Sequence, residues 1–245
     1  MKTKRVLVVL GGTSGEREVS LDSGKACAKA SKKIGYNVTL FDSKKKPLNL
    51  IDKNKIDIIF NALHGKDGED GIAQSYFEYL RIPYTHSGVV SSFNAMNKVI
   101  SKKIFKYNKI KSPNYLVLNK NENYIKKIKK KLKNKKIKFP IVAKPVSEGS
   151  SIGVKICKNI VTLDKSVKHL FKKYKEIILE TFIGGQEIQV AVINGSPLGA
   201  IELKPKREFY DYKAKYSRSA KTEHIMPANL KKSKYNEVLK LAKKA

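Results

Sequence analysis

The order of apolar and polar positions in the first part of the chain predicts strands that alternate with helices. An unbroken apolar run, 5–10, leads into glycines, which is typical of a strand buried on both faces. Helical spacing of small and apolar residues follows it and recurs later. The predicted elements are strands at 5–10, 37–41, 56–63 and 82–84 and helices at 20–33 and 74–80. This order predicts a parallel sheet whose strands carry ligand-binding groups at their carboxyl ends.

Beyond residue 92 the pattern predicts further strands and helices and one long polar loop. The dipeptide Asn194-Gly195 predicts the turn of a hairpin. The predicted elements are strands at 115–118, 140–144, 154–157, 177–182, 187–193 and 198–203 and helices at 92–107, 123–136, 163–174 and 230–245. Residues 209–229, rich in tyrosine and lysine, are predicted to form a loop, and loops of this length are uncommon unless functional. The last helix has little sheet to pack on, so we expect the final region to be incomplete.

The composition excludes several classes of protein. With 41% hydrophobic residues among 245, the chain can bury a core and is not a disordered tail. No apolar run approaches the ~18 residues of a membrane span, and the first run is short for a signal peptide and lacks a small-residue cleavage site. Cys27 and Cys157 show no metal-site or disulfide-framework spacing. The sequence therefore predicts a soluble, cytoplasmic protein of the α/β class.

The net charge of +31 has two explanations. Fifty-two Lys+Arg against 21 Asp+Glu is, on its own, a signature of nucleic-acid binding. The cations are nearly all lysine, whereas base and phosphate recognition favours arginine, and they are spread over most predicted surfaces. We therefore favour a solvated lysine-rich surface without a specific nucleic-acid site. A nucleic-acid stacking platform in the tyrosine-lysine loop stays open as the alternative.

Two glycine-rich loops follow predicted strands at the same edge of the sheet. Residues 11–20 combine glycines, which let backbone amides approach a ligand, with Glu16, which could hold an ammonium group. Residues 61–71 place His64 beside glycines and carboxylates, which suits contact with a substrate carboxylate or a proton. The plainer interpretation is a pair of turns with exposed charges and a surface histidine. Their shared position favours a ligand site, since open α/β sheets bind ligands there.

Two later motifs contain the residue types of a nucleotide site. Lys144 precedes a Gly/Ser-rich loop at 148–153, whose amides could cover phosphates together with the lysine, although this is not a Walker A sequence. Phe182 and Ile183 could lie against an adenine, with nearby carboxylates for ribose and amine contacts. The alternatives are an ordinary hairpin loop and a core strand that ends in a turn.

Taken together and in this order, the motifs resemble the D-alanine–D-alanine ligases, which are ATP-grasp enzymes. They are GGTSGEREVSLDSG, NALHGKDGEDG, Lys144-Pro145 with EGSSIGV, and FYDYKAKY, and the resemblance extends from Val6 to about Leu230. It implies a Rossmann-like N-terminal substrate-binding domain followed by two ATP-grasp lobes that clamp a nucleotide between two sheets. The implied domains are 1–92 for the N-terminal domain, 93–181 for the central lobe and 182–245 for an incomplete C-terminal lobe.

The resemblance also implies a reaction. It is the ATP-dependent ligation of two D-alanines to D-alanyl-D-alanine through an acyl phosphate, for peptidoglycan precursor synthesis. ATP and Mg²⁺ or Mn²⁺ are the implied cofactors and D-alanine the implied substrate, with no membrane or specific nucleic-acid partner; a homodimer is compatible with it. An inactive nucleotide- or D-alanine-binding remnant and another dipeptide-forming ATP-grasp ligase stay open as alternatives.

Residue by residue, the resemblance implies a role for each matched position. Glu16 matches the residue that binds the ammonium of the first D-alanine, and with Ser150 and Tyr216 it matches the catalytic trio that closes a mobile loop. His64 matches the histidine near that substrate's carboxylate, and Lys215 the lysine that reaches the terminal phosphate. The implied ATP-binding residues are Lys98, Lys144, Ser151, Glu180, Phe182, Ile183, Glu187 and Lys215. Tyr216 also favours D-alanine as the second substrate.

Three positions depart from the family pattern, and one family segment has no counterpart in the sequence. Asn97 replaces a usual acidic residue, His86 a usual glycine and Thr181 a usual lysine. The family's last segment carries an arginine and an aspartate on one strand and Glu-x-Asn on the next, and its acidic residues are the metal ligands. No metal ligand is therefore assigned in this sequence. From this we expect little or no ligase activity from the 245-residue polypeptide itself.

Overall fold

The fold was analysed in a computed structural model that divides the chain into two compact units. The described residues are 3–134, 136–206 and 212–245. The first unit comprises Met1–Lys98 and Ser147–Ser150, and the second comprises Val99–Val146 and Ser151–Ala245. The three-domain division at 92 and 181 stays a prediction.

The first unit is built on a three-stranded parallel sheet, as predicted. Its strands are β1 (Arg5–Leu10), β2 (Asn37–Asp42) and β3 (Ile58–Asn61), in the order β2-β1-β3. Successive side chains of β1 point to opposite faces. Leu7 and Val9 therefore belong to one buried cluster, and Val6 and Val8 belong to another. The predicted strand at 82–84 is reduced to a single parallel bridge between Ile59 and Tyr84.

The first unit also contains α1 (Arg17–Lys33), α2 (Ile72–Tyr79) and α3 (Val89–Met96). The next helix, α4 (Lys98–Tyr107), begins at Lys98 and otherwise belongs to the second unit. The helix predicted over 92–107 is in fact two helices, because the backbone at Asn97 is extended and ends α3. In α1 the buried residues Ser20, Gly24 and Ala28 recur every four positions, which places them on one face.

The second unit contains a four-stranded antiparallel sheet in the order β4-β7-β5-β6. Its strands are β4 (Tyr115–Asn119), β5 (Ile141–Pro145), β6 (Lys155–Cys157) and β7 (Glu176–Thr181). Helices α5 (Tyr124–Lys133) and α6 (Ile160–Lys173) contribute to its core, with Ile128, Leu163 and Val167 almost fully buried. Helix α6 begins three residues before its prediction because Asn159 caps it reciprocally with Thr162.

The second unit also contains another antiparallel sheet, on which the final helix packs. The strands are β8 (Glu187–Ile193), β9 (Ser196–Lys204) and β10 (Glu223–Ile225), and the helices are α7 (Tyr212–Tyr216) and α8 (Lys232–Lys244). The prediction of an irregular loop over 209–229 is wrong, because α7 and β10 lie within it; residues 209–211 lie outside the described residues. Helix α8 packs on β8 and β9, and Tyr235 on α8 accepts a hydrogen bond from the backbone of Ala200.

None of the helices in the described ranges has the length and hydropathy needed to cross a membrane.

Candidate functional site

The carboxylate of Glu16 is buried at the start of α1 in the first unit. Glu16 is 3% exposed, and the hydroxyl of Ser150 donates a hydrogen bond to its Oε1 across 134 residues of sequence. Its Oε2 has no hydrogen-bond partner among the described residues. The positive end of the α1 dipole favours a negative charge at this position. The carboxylate is thus held in place with one oxygen left to accept a hydrogen bond.

Two glycines pack closely against this oxygen. A Cβ atom on Gly65 would lie 2.7 Å from Glu16 Oε2, and one on Gly149 would lie 2.5 Å from it. Gly65 also has a φ of +68°, which disfavours any side chain. Glycine at both positions therefore lets the backbone approach Oε2 where a side chain would clash with it, and we call this group of Glu16, Ser150, Gly65 and Gly149 the Glu16 cradle.

His64 lies next to the cradle and is held by two side chains. Its Nε2 lies 3.0 Å from Ser23 Oγ, and its Nδ1 lies 3.5 Å from Glu69 Oε1. Interaction with the Glu69 carboxylate raises the pKa of His64, although partial burial opposes the shift. Burial would raise the pKa of Glu69, but His64 and the backbone N–H of Gly65 outweigh it and lower that pKa. The histidine is therefore biased towards its charged form, which suits contact with an anion.

A cavity of about 420 Å³ opens beside His64 within the first unit. It is lined by Ser23, Cys27, Phe60, Asn61, Ala62, Leu63, His64, Gly68, Glu69, Gln74, His86, Ser87, Ser91, Ser92 and Ala95. Gln74 is buried there, and its Oε1 has no hydrogen-bond partner among the described residues. The cavity thus has mixed apolar and polar walls, the usual character of a small-molecule site.

Hydrogen bonds through α1 hold the two glycine-rich loops at one edge of the sheet. Ser20 Oγ accepts a hydrogen bond from Gly11 N at 2.8 Å and donates one to Ala62 O at 2.6 Å. Arg17 also binds both carboxylate oxygens of Asp42, at 2.9 and 2.7 Å. This bidentate pair lowers the pKa of Asp42 to about 2. The sequence prediction that both loops lie at the same sheet edge is confirmed.

The loop that carries Ser150 also binds the first residue of α4. Lys98 Nζ donates a hydrogen bond to Glu148 O at 2.6 Å. Both Ser150 and Ser151 have a positive φ, which non-glycine residues rarely adopt. Tyr216 lies on α7 of the second unit, 41% exposed, with its ring 4.9 Å from that of Tyr212. The grouping of Tyr216 with Ser150 and Glu16 stays a prediction.

Glu180 is the second buried carboxylate of interest, and two lysines of the second unit neutralise it. Lys144 on β5 donates a hydrogen bond to Glu180 Oε2 at 2.7 Å, and Lys102 on α4 lies 3.1 Å from Oε1. Sequence reasoning singled out Glu180 and Lys144 but missed Lys102. Lysine is so frequent in this chain that nothing in the local pattern marks Lys102 as buried.

The residues after β7 differ in their exposure. Phe182 is partly buried, whereas Ile183 is 66% exposed. Glu187 opens β8, and burial raises its pKa while the charge of Lys215 opposes the shift. An exposed apolar side chain in this segment is compatible with base binding, but the individual nucleotide contacts stay predictions.

A metal site was tested directly against the side chains present. Within the described ranges, no three His, Cys, Asp or Glu side chains are grouped so that they could hold a metal ion. The described residues therefore do not fit the implied metal.

Comparisons with known proteins agree on one family. The model of the D-Ala-D-Ala ligase C-terminus matches residues 104–245, and that of the N-terminus matches 43–87. A D-alanine–D-alanine ligase of Pelagibacter ubique is 50% identical over 99% of this chain and 79% of its own length.

Solved structures show the same likeness. A D-alanine–D-alanine ligase from Bacillus anthracis has a TM-score of 0.82 and 35% identity, covering 98% of this chain and 77% of that one. The same enzyme complexed with ATP has a TM-score of 0.77 and 32% identity, covering 99% and 77%. These likenesses extend over both units of the chain.

Proposed function

We propose, from the premise that this chain belongs to the D-alanine–D-alanine ligase family, that it binds D-alanine and ATP for the synthesis of D-alanyl-D-alanine. The observation that carries the proposal is the Glu16 cradle. A buried carboxylate with a partnerless oxygen is unfavourable unless a ligand supplies a donor. An ammonium group supplies both a hydrogen bond and the missing positive charge.

The groups beside the cradle match the other end of an amino acid. His64, biased towards its cationic form by Glu69, offers a positive charge to a carboxylate. Glu16 and His64 together therefore favour a small zwitterion over a neutral or singly charged molecule. Ser150 orients the Glu16 carboxylate by donating to Oε1, which leaves Oε2 for the ammonium.

The second unit supports the nucleotide side of the reaction. Glu180 is a buried carboxylate near the end of β7, close in sequence to Phe182 and Ile183, and a carboxylate oxygen can accept a hydrogen bond from the exocyclic amine of a base. Exposed Ile183 offers an apolar surface to its ring, and Lys144 offers a cation to a phosphate. The Bacillus anthracis relative was solved with ATP, which supports ATP as the nucleotide.

The contribution of this chain is to bind and orient charged groups. When bound, ATP would supply the phosphoryl group that converts the carboxylate of the first D-alanine to an acyl phosphate with release of ADP, and the amino group of the second D-alanine would then displace inorganic phosphate from the acyl carbon. Glu16 and His64 fix the ammonium and the carboxylate of the first substrate, and such positioning is worth ~7–11 kcal/mol in favourable cases. Lys98, Lys144 and Lys215 are proposed to offset phosphate charge, and Tyr216 to exclude water. We place the reaction in the cytoplasm, where ATP is available.

Binding of D-alanine to variants of Glu16 tests whether the Glu16 cradle is the ammonium site. Isothermal titration should show at least tenfold weaker binding for Glu16→Gln, because the amide removes the charge that the ammonium needs. The matched control is Glu18→Gln, which lies two residues further along the chain and is exposed on α1. This variant should bind D-alanine within about twofold of wild type. Equal binding by wild type and Glu16→Gln would refute the role of Glu16.

Phosphate release separates catalysis from binding alone. D-alanine-stimulated release of phosphate from ATP would support ligation by the 245-residue polypeptide. Binding of both ligands without release would instead support the inactive remnant.

A further inference from the structure

Two lysines contact the buried carboxylate of Glu180, and the structure distinguishes their roles. We infer that Lys102 is a positioning residue, a fixed counter-charge for Glu180 that lets Lys144 leave the carboxylate and bind a nucleotide phosphate. The inference rests on the proposed function because it takes Lys144 as a phosphate ligand. It concerns the described contacts of Lys102, Lys144 and Glu180, all of which lie in the second unit.

Lys102 is anchored independently of Glu180. Its Nζ donates a hydrogen bond to Pro113 O at 2.9 Å and lies 5.3 Å from the centroid of the Tyr115 ring. Only 8% of its side chain is exposed. A lysine held by a carbonyl, an aromatic face and a carboxylate has little freedom to follow a ligand.

Lys144 is held differently. Its side chain is 20% exposed, and its Nζ donates to Glu180 Oε2 at 2.7 Å. Glu180 is its hydrogen-bond partner among the described residues. Of the two lysines, Lys144 is therefore the one that can exchange a carboxylate for a phosphate.

The exchange has an electrostatic condition. Removing the cation from a buried carboxylate is strongly unfavourable when no second cation is present. Lys102, 3.1 Å from Oε1, supplies that second cation and remains when Lys144 moves. Burial lowers the pKa of Lys102, and the Glu180 carboxylate opposes this shift by favouring the charged lysine. Lys102 thereby lowers the free energy needed to move Lys144 from Glu180 to a phosphate.

Nucleotide binding tests this inference without requiring turnover. Isothermal titration with ATP and with adenosine, in buffer without added metal, is compared for wild type, Lys102→Gln, Lys102→Arg and Lys103→Gln. Lys102→Gln should bind ATP at least tenfold more weakly, because phosphate binding then strips Glu180 of its cation. Adenosine, which lacks phosphate, should bind within about threefold of wild type. Lys102→Arg should recover most of the ATP affinity.

Exposed Lys103 is the matched control on the same helix. Lys103→Gln removes an equal charge and should leave ATP affinity within about twofold. Equal loss of ATP and adenosine binding in Lys102→Gln would show a merely structural role and overturn the inference, as would unchanged ATP binding. Failure of wild type to bind ATP at all would instead refute the proposed function.

A double-mutant cycle keeps the test sharp if Lys102→Gln folds poorly. In a Glu180→Gln background no carboxylate needs neutralising, so adding Lys102→Gln should weaken ATP binding by less than about twofold. A further tenfold loss in that background would mean that Lys102 acts independently of Glu180 and would contradict the inference.

Discussion

Each of the two units of this protein buries a carboxylate, but the groups that contact the two carboxylates differ. Glu16 has a hydroxyl donor on one oxygen, while glycines pack against the other, which has no hydrogen-bond partner among the described residues. Glu180 has a lysine against each oxygen. The first arrangement has no lysine against the carboxylate among the described residues, and it suits a cationic ligand group. The second holds two cations, one of which can serve an anionic ligand group. The same type of side chain thus belongs to a site for a cationic ligand group in one unit and for an anionic ligand group in the other.

Replacing Glu180 should reduce the stability of the fold much more than replacing Glu16. Glu180→Gln leaves Lys102 and Lys144 close together without their counter-charge, which should destabilise the fold by about 3 kcal/mol. For a chain of this size that corresponds to a drop of roughly 6–12 °C in Tm. Glu16→Gln removes a charge that forms no ion pair with a lysine or arginine among the described residues, so the free energy of unfolding should change by less than about 1 kcal/mol. Differential scanning calorimetry of both variants checks this; equal Tm values would contradict it.

A smaller effect concerns the space beside Glu16. In Gly65→Ala the new Cβ lies against Glu16 Oε2, so D-alanine binding should fall by about a hundredfold when measured by titration. The variant also places a side chain at a φ of +68°, which should destabilise it by about 1 kcal/mol.

Gly195→Ala separates these two causes. Gly195 has a φ of +72° but no atom within 4 Å of its Cβ position. It should therefore show a similar loss of stability with D-alanine binding unchanged. If Gly65→Ala bound D-alanine like wild type, the cradle would not be the ammonium site.

The stability contributed by His64 in the first unit should depend on pH. Because its folded pKa is raised, charged His64 contributes stability below its ordinary pKa of ~6.5, and this contribution is lost as pH rises through the folded value. His64→Gln should therefore lower Tm by a few degrees at pH 6 and by less at pH 9. His169→Gln, at an exposed position of α6, is the matched control for loss of a histidine. A Tm difference that grew with pH would have the wrong sign.

The sequence predicted the scaffold better than the contacts made across it. Neighbouring parallel strands end at one sheet edge, so the loops of Glu16 and His64 could be placed together from the strand pattern alone. The contact between Glu16 and Ser150 spans 134 residues, and only the family resemblance suggested it.

Other features have no local signal. Strand β10 has three residues and is stabilised by pairing with β9, so its own sequence resembled a loop. Burial of Lys102 depends on a carboxylate 78 positions later, which periodicity does not reveal. Gln74 was likewise missed, because a buried amide looks like any polar residue of an amphipathic helix.

A crystal structure of the protein with D-alanine would show whether Glu16 binds the ammonium group. We expect the amino nitrogen within about 3 Å of Glu16 Oε2, with the hydroxyl of Ser150 still on Oε1. An amino group bound elsewhere, with Oε2 satisfied by a protein donor, would contradict this expectation.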